Sequence, residues 1–262
     1  FPRKEIAEIQ EKISYRDNLV VQAETFHLWV IEAPMSVAKE FPADKAGLHV
    51  LFVPSEEPYH KRKVTLLNGP HTVLSPVAFL SGVNIVRDAC NHEVISKYIH
   101  KVQFDELMQT LDLPMEELEK FASDVLERFD NPYVDHQVTS IMLNSFPKFC
   151  ARDLPGVKTY LERKGELPKG LVFGLAAIIT YYKGGKREDG VEIVPNDSQE
   201  IMDLLKNLWA TGDTQKVTDG VLGATDIWAE DLNKIEGLNA LVKSYLDLIQ
   251  SKGMLEAVKT IL

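Results

Sequence analysis

Between Lys63 and Leu74 the chain reads KVTLLNGPHTVL, an apolar run interrupted by lysine, asparagine and histidine at spacing K-x4-N-x2-H. These residue types suit proton handling at an alcohol or a carbonyl. A lysine among apolar neighbours loses affinity for its proton, because burial disfavours the charged form, and so becomes a candidate general acid or base. An asparagine amide can donate to an oxygen that gains negative charge. A histidine can hydrogen-bond the same oxygen and orient it. On a helix turning about 100° per residue, Lys63, Asn68 and His71 fall within an arc of about 140°. Leu66, Leu67, Val73 and Leu74 supply apolar neighbours. Pro70 has no N–H, so it kinks the helix and frees the carbonyl of Leu66. The same pattern fits a structural helix in which Lys63 extends into solvent beside Lys61 and Arg62 while His71 caps a carbonyl.

A second polar set lies in DHQVTSIMLNSFPKFCARDLP, which begins at Asp135. Gln137, Ser140, Asn144, Lys148 and Arg152 are spaced i, i+3, i+7, i+11 and i+15, so on a helix they form one stripe. Lys148 and Arg152 give the stripe a basic end. Arginine suits bidentate carboxylate binding and lysine a point contact, so this end could hold a sugar carboxylate. A solvated helix face is the alternative. Pro147 bends the segment and makes Arg152 its least fixed member. His136 adjoins the stripe. Glu32, in WVIEAP, either meets Lys63 or simply ends a strand. His27, His60, His92 and His100 show no metal-ligand spacing.

The elements that must position these groups read as mostly helical. A short amphipathic helix is expected over about Lys4 to Ile13. NLVVQAETFHLWVIEAP and GLHVLFVP read as strands. After Tyr59 nearly every signal is helical. Asp112 and Pro114 mark one helix start, Asp135 is a cap candidate for the next, and Asp197 with Glu200 has capping-box spacing. GLVFGLAAIITYY is too short to span a bilayer, where about 20 residues are needed, and reads as a buried core helix. KGGKREDG reads as a loop, and Gly237 and Gly253 break the C-terminal helices. The fold class expected is mainly α: a multi-helical region preceded by a short α/β segment. Segregated strands and helices suggest separate domains more than a repeated βαβ unit.

Composition narrows the function. The 262 residues are 45% hydrophobic and 26% charged, as in ordinary globular proteins. A net charge of -10 argues against a nucleic-acid partner, which needs a basic surface. No membrane partner is expected. Cys90 and Cys150 form neither a disulfide framework nor a zinc pattern, and read as free thiols of a reducing compartment. With no signal peptide visible, a cytoplasmic location is expected. There is no G-x-G-x-x-G and no G-x4-G-K-[ST].

Lys63, Asn68 and His71 in this spacing resemble the signature of the long-chain polyol dehydrogenases, the mannitol dehydrogenase family. FHLWVIEAP, LLNGPHTVLSPVAFLSG and ERFDNPYVDHQ resemble that family's linker, motif helix and R-F-x-N-P turn. The resemblance covers nearly the whole chain. It implies zinc-independent hydride transfer with NAD, with Lys63 as general acid/base and Asn68 and His71 on the reacting oxygen. It also implies a C-terminal fragment: residues 1–34 would end a Rossmann-type cofactor domain, and residues 35–262 would form the helical substrate domain. Such a fragment alone should not transfer hydride. The segment from His136 to Pro155 resembles the branch that interconverts tagaturonate and altronate. Other members carry Asp-Gly-Ser where this chain has Asn144, Ser145 and Phe146. The substrate implied is a sugar acid, bound by Glu32, His136, Gln137, Asn144, Lys148 and Arg152. A mannitol 2-dehydrogenase, a fructuronate reductase and a non-catalytic helical interaction domain are the alternatives.

Overall fold

A computed structural model describes residues 6–13, 15–20, 24 and 26–262. The chain forms two compact units, residues 1–60 and 61–262.

The first unit contains α1 (Ile6–Ile13), β1 (Trp29–Glu32), α2 (Met35–Glu40), a 3-10 turn (Ala43–Ala46) and β2 (Val50–Val53). Residues 1–5, 14, 21–23 and 25 lie outside the described residues, and the start of the expected first helix and part of the expected first strand fall among them. β1 and β2 pair in parallel, with Trp29 opposite Val50 and Glu32 opposite Val53. Parallel neighbours need a crossover, which α2 and the 3-10 turn supply. Pro34 precedes α2 but does not end the unit, because β2 returns to pair with β1. The division falls within α3 (Glu57–Lys63).

In the second unit a π-helical turn (Val64–Asn68) leads into α4 (Gly69–Leu80). α5 (Val86–Asn91) and α6 (Glu93–His100) follow, then a second π turn (Lys101–Glu106) and a 3-10 turn (Leu107–Thr110). The next helices are α7 (Met115–Phe129), α8 (Val138–Ile141), α9 (Ser145–Arg152), α10 (Leu154–Lys164) and α11 (Lys169–Tyr181). A hairpin of β3 (Gly185–Lys186) and β4 (Glu192–Ile193) occupies the expected loop. α12 (Gln199–Trp209), α13 (Thr214–Leu222), α14 (Thr225–Trp228), α15 (Leu238–Lys252) and α16 (Met254–Lys259) complete the unit.

The core explains why α4 holds still. α4 and α11 are apolar on nearly every face, and both are buried along most of their length. α11 packs on α4 and on α15. Full burial of one such Leu or Phe contributes about 1.5–3 kcal/mol, so these helices anchor the unit. At Gly174 the backbone of α11 lies so near Val73 that an added Cβ would sit 2.4 Å from the Val73 Cβ. Arg187, from the hairpin, donates to Phe79 O and to Asn84 Oδ1, each at 2.9 Å, and so closes the C-terminal end of α4.

Two expected caps differ. Asp135 forms an ion pair with Arg87 at 2.7 Å, and Gln137 is the residue that precedes α8. Asp197 accepts the Tyr182 hydroxyl at 2.6 Å, while Ser198 caps α12. Asp135 is thus taken by a tertiary partner, whereas Asp197 shares its carboxylate between the Tyr182 hydroxyl and the Ser198 N–H, at 2.9 Å, and leaves the cap to Ser198. The mainly α, multi-helical architecture is the one expected, and among the described residues no helix is long and apolar enough to cross a membrane.

Candidate active site

The motif segment is not a regular α-helix. Gly69 N–H donates to Val64 O, five residues back, and Pro70 has no N–H to offer. An i→i+5 ring brings residues five apart nearly one above the other. Lys63 and Asn68, at the two ends of this turn, have that spacing. The π turn therefore corrects the α-helical placement, which would set them about 140° apart. From Asn68 onward α spacing resumes: the Thr72 hydroxyl donates to Asn68 O at 2.9 Å, and Ser75 to His71 O at 2.7 Å.

Lys63 is exposed and Asn68 half-buried. The apolar enclosure expected around Lys63 is absent among the described residues. His71 is the enclosed member. Its ring lies flat on Phe129, with centroids 3.8 Å apart, and His136 stands edge-on at 5.4 Å. Nε2 is buried without a hydrogen-bond partner among the described residues. Burial lowers the pKa to about 3, helped by the nearby positive charges of His136, Arg152, Arg128 and Lys63. The imidazole is therefore neutral, with no hydrogen-bond partner for Nε2 among the described residues.

The expected helical stripe does not form. α8 stops at Ile141, and Asn144 adopts a left-handed conformation (φ 53°) before α9 begins. Asparagine tolerates that region because its short polar side chain can bond locally. Gln137, Ser140 and Asn144 are exposed, on or beside α8, whereas Lys148 and Arg152 belong to α9 and are half-buried. Pro147 causes no bend, because it sits in the first turn of α9, where its missing N–H had no helical partner. Lys148 Nζ donates to Ile141 O at 2.7 Å, bridging the break. Burial and then Arg152 lower its pKa, while Asp197 opposes them. Arg152 Nη1 donates to the Thr72 hydroxyl at 3.2 Å, which brings the guanidinium against α4, next to His71. His136 is exposed as a residue, and partial desolvation of its ring lowers its pKa. Glu32 ends β1, and its carboxylate accepts the Glu56 N–H at 2.9 Å.

Thus Lys63, Asn68, His71, His136 and Arg152 gather around α4. Sequence reading missed Phe129, Thr72 and Arg128. A signal for two of them was present, since Arg128 and Phe129 open the R-F-D-N-P turn. A separate cleft of about 870 Å³, lined by Pro147, Ala151, Ile201 and Leu204 among others, includes none of the expected site residues.

The model of the mannitol dehydrogenase C-terminal domain matches residues 56–250. An altronate oxidoreductase of Bacteroides thetaiotaomicron is 80% identical over 262 residues, which are all of this chain and 55% of that protein. The chain therefore spans little more than half the length of this relative. Two solved structures share the fold. Pseudomonas fluorescens mannitol 2-dehydrogenase, in a ternary complex with NAD and D-mannitol, aligns with a TM-score of 0.73 at 21% identity, over 82% of this chain and 43% of that one. A D-sorbitol dehydrogenase in substrate-free form aligns with a TM-score of 0.77 at 23% identity, over 98% of this chain and 51% of that one. With the family model covering most of its length, the chain belongs to the mannitol dehydrogenase C-terminal domain family.

Proposed function

We propose that this chain is the substrate-handling part of an NAD-dependent oxidoreductase that interconverts tagaturonate and altronate. The observation that carries the reading is the buried Nε2 of a neutral His71, without a hydrogen-bond partner among the described residues and close enough to Lys63 and Arg152 to feel their charges. A buried polar atom without a partner is costly, and a substrate oxygen would satisfy it.

Each residue then has a role. Neutral imidazole presents either an N–H or a lone pair at Nε2, and a carbonyl oxygen takes the N–H. The Asn68 amide donates to the same oxygen as negative charge develops there. Lys63 gives that oxygen a proton during reduction and takes one from the hydroxyl during oxidation. Its exposure lets it exchange that proton with solvent. Arg152 holds the sugar carboxylate, and Lys148 adds a positive charge nearby. His136, Gln137 and Asn144 complete the wall. Glu32, whose Oε2 holds the Glu56 N–H, keeps its second carboxylate oxygen for a substrate hydroxyl.

Nicotinamide, when bound, supplies or accepts the hydride. This sequence has no G-x-G-x-x-G turn to hold the dinucleotide phosphates, so that binding falls to the rest of the protein. The 80% identity to an altronate oxidoreductase supports the sugar acid over a neutral polyol.

The test is Arg152→Met in the full-length protein. The KM for tagaturonate should rise about 10- to 100-fold, in line with loss of a charged hydrogen bond, with the KM for NADH unchanged. An unchanged KM for tagaturonate would remove the carboxylate role and the sugar-acid reading with it.

A further inference from the structure

We infer that Gln103 is a positioning residue that locks the register of the π turn and thereby aligns Lys63 with Asn68. The starting point is a carbonyl. In a regular α-helix Leu66 O would accept from residue 70, but Pro70 has no N–H. Leu66 is fully buried, so water does not replace the missing donor. An unpaired buried carbonyl is costly. Gln103 answers it: its Nε2 donates to Leu66 O at 2.7 Å and also reaches Ala122 O at 3.4 Å.

Gln103 is itself fully buried and lies within the second π turn. The far end of that turn is Glu106, whose carboxylate accepts the N–H groups of Gly170 and Leu171 at 2.7 and 2.8 Å. Those residues open α11, the core helix. The motif turn is thus tied through one amide to a second π turn, and through one carboxylate to the centre of the unit. From the other side Asp153 closes on Gly69, where an added Cβ would lie 2.8 Å from Asp153 Oδ1. The five-residue spacing of Lys63 and Asn68 has chemical meaning only in the π register, and Gln103 supplies, in the middle of that turn, the donor that Pro70 withholds from Leu66 O. The catalytic consequence rests on the roles proposed for Lys63 and Asn68; the register lock itself does not.

The experiment uses the full-length protein and the variant Gln103→Met, which keeps the volume and removes the donor. Hydrogen exchange of the peptide spanning residues 64–71 should quicken about tenfold or more relative to α11, because local opening loses its cost. Unchanged exchange overturns the lock. With tagaturonate and NADH, kcat should fall about tenfold. Asn68→Ala should cost less than about threefold further in that background, since the two act as one unit. Fully additive losses would mark Gln103 as merely structural and overturn the positioning role. If Gln103→Met does not fold, Pro70→Ala offers Leu66 O a rival N–H and carries the same cycle with the same outcomes. A wild type that turns over no hexuronate, yet loosens at residues 64–71 when Gln103 is changed, would fail the proposed function while keeping the lock.

Discussion

His71 carries two consequences at the scale of a single residue. Its folded pKa, about 3, lies below the ordinary value of 6.5, so the folded protein binds fewer protons than the unfolded chain between those pH values. The stability this contributes is present above about pH 6.5 and is lost as the pH falls towards 3. Wild type should therefore show a steeper fall in its unfolding midpoint from pH 7 to 4 than His71→Gln; equal slopes would contradict burial as the cause. Turnover in the neutral range should not follow the charge of His71, and Lys63→Ala should lower kcat about 10²- to 10⁴-fold, as loss of a general acid/base does. Lys63, Asn68 and His71 stand out in the sequence because their types interrupt an apolar run. The exposure of Lys63 was not legible there, since burial depends on distant segments. Nor was the stacking of Phe129, which requires the end of α7 to arrive at α4.

At the scale of elements, α4, α7, α11 and α12 were legible from periodicity and punctuation. The stripe on α8 and α9 was not. Its arithmetic ran through Asn144, whose left-handed backbone resets the angular count. The π turn escaped for a related reason, since an assumption of 100° per residue cannot register an inserted residue, although Pro70 marked the freed carbonyl. Close approach of α11 to α4 gives a direct test. Gly174→Ala forces a Cβ against Val73 and should cost about 1–3 kcal/mol of stability, read by urea unfolding; a neutral result would contradict the packing. Glu106 gives a second. Burial raises its pKa to about 7 despite the two N–H donors, so the fold binds the extra proton between about 4.5 and 7. Here stability is lost as the pH rises through that window, opposite in sign to His71. Glu106→Gln should flatten this component of the pH profile.

At the scale of the whole molecule, the helical character and the family were legible along most of the chain, because many local signals agreed. The extent of the first unit was not, since β2 joins β1 by pairing distant in sequence, which Pro34 does not reveal. The chain covers 55% of its Bacteroides thetaiotaomicron relative, and its sequence holds no glycine-rich phosphate turn. Residues 1–262 alone should therefore fail to oxidise NADH in the presence of tagaturonate, while the full-length protein succeeds. The most direct measurement is NADH oxidation by the full-length protein and its Lys63→Ala variant, with tagaturonate, fructuronate and fructose offered side by side. Turnover of tagaturonate far above the other two, abolished in Lys63→Ala, is the expected result. Preference for fructose, or full turnover by the variant, would contradict the roles assigned to Arg152 and Lys63.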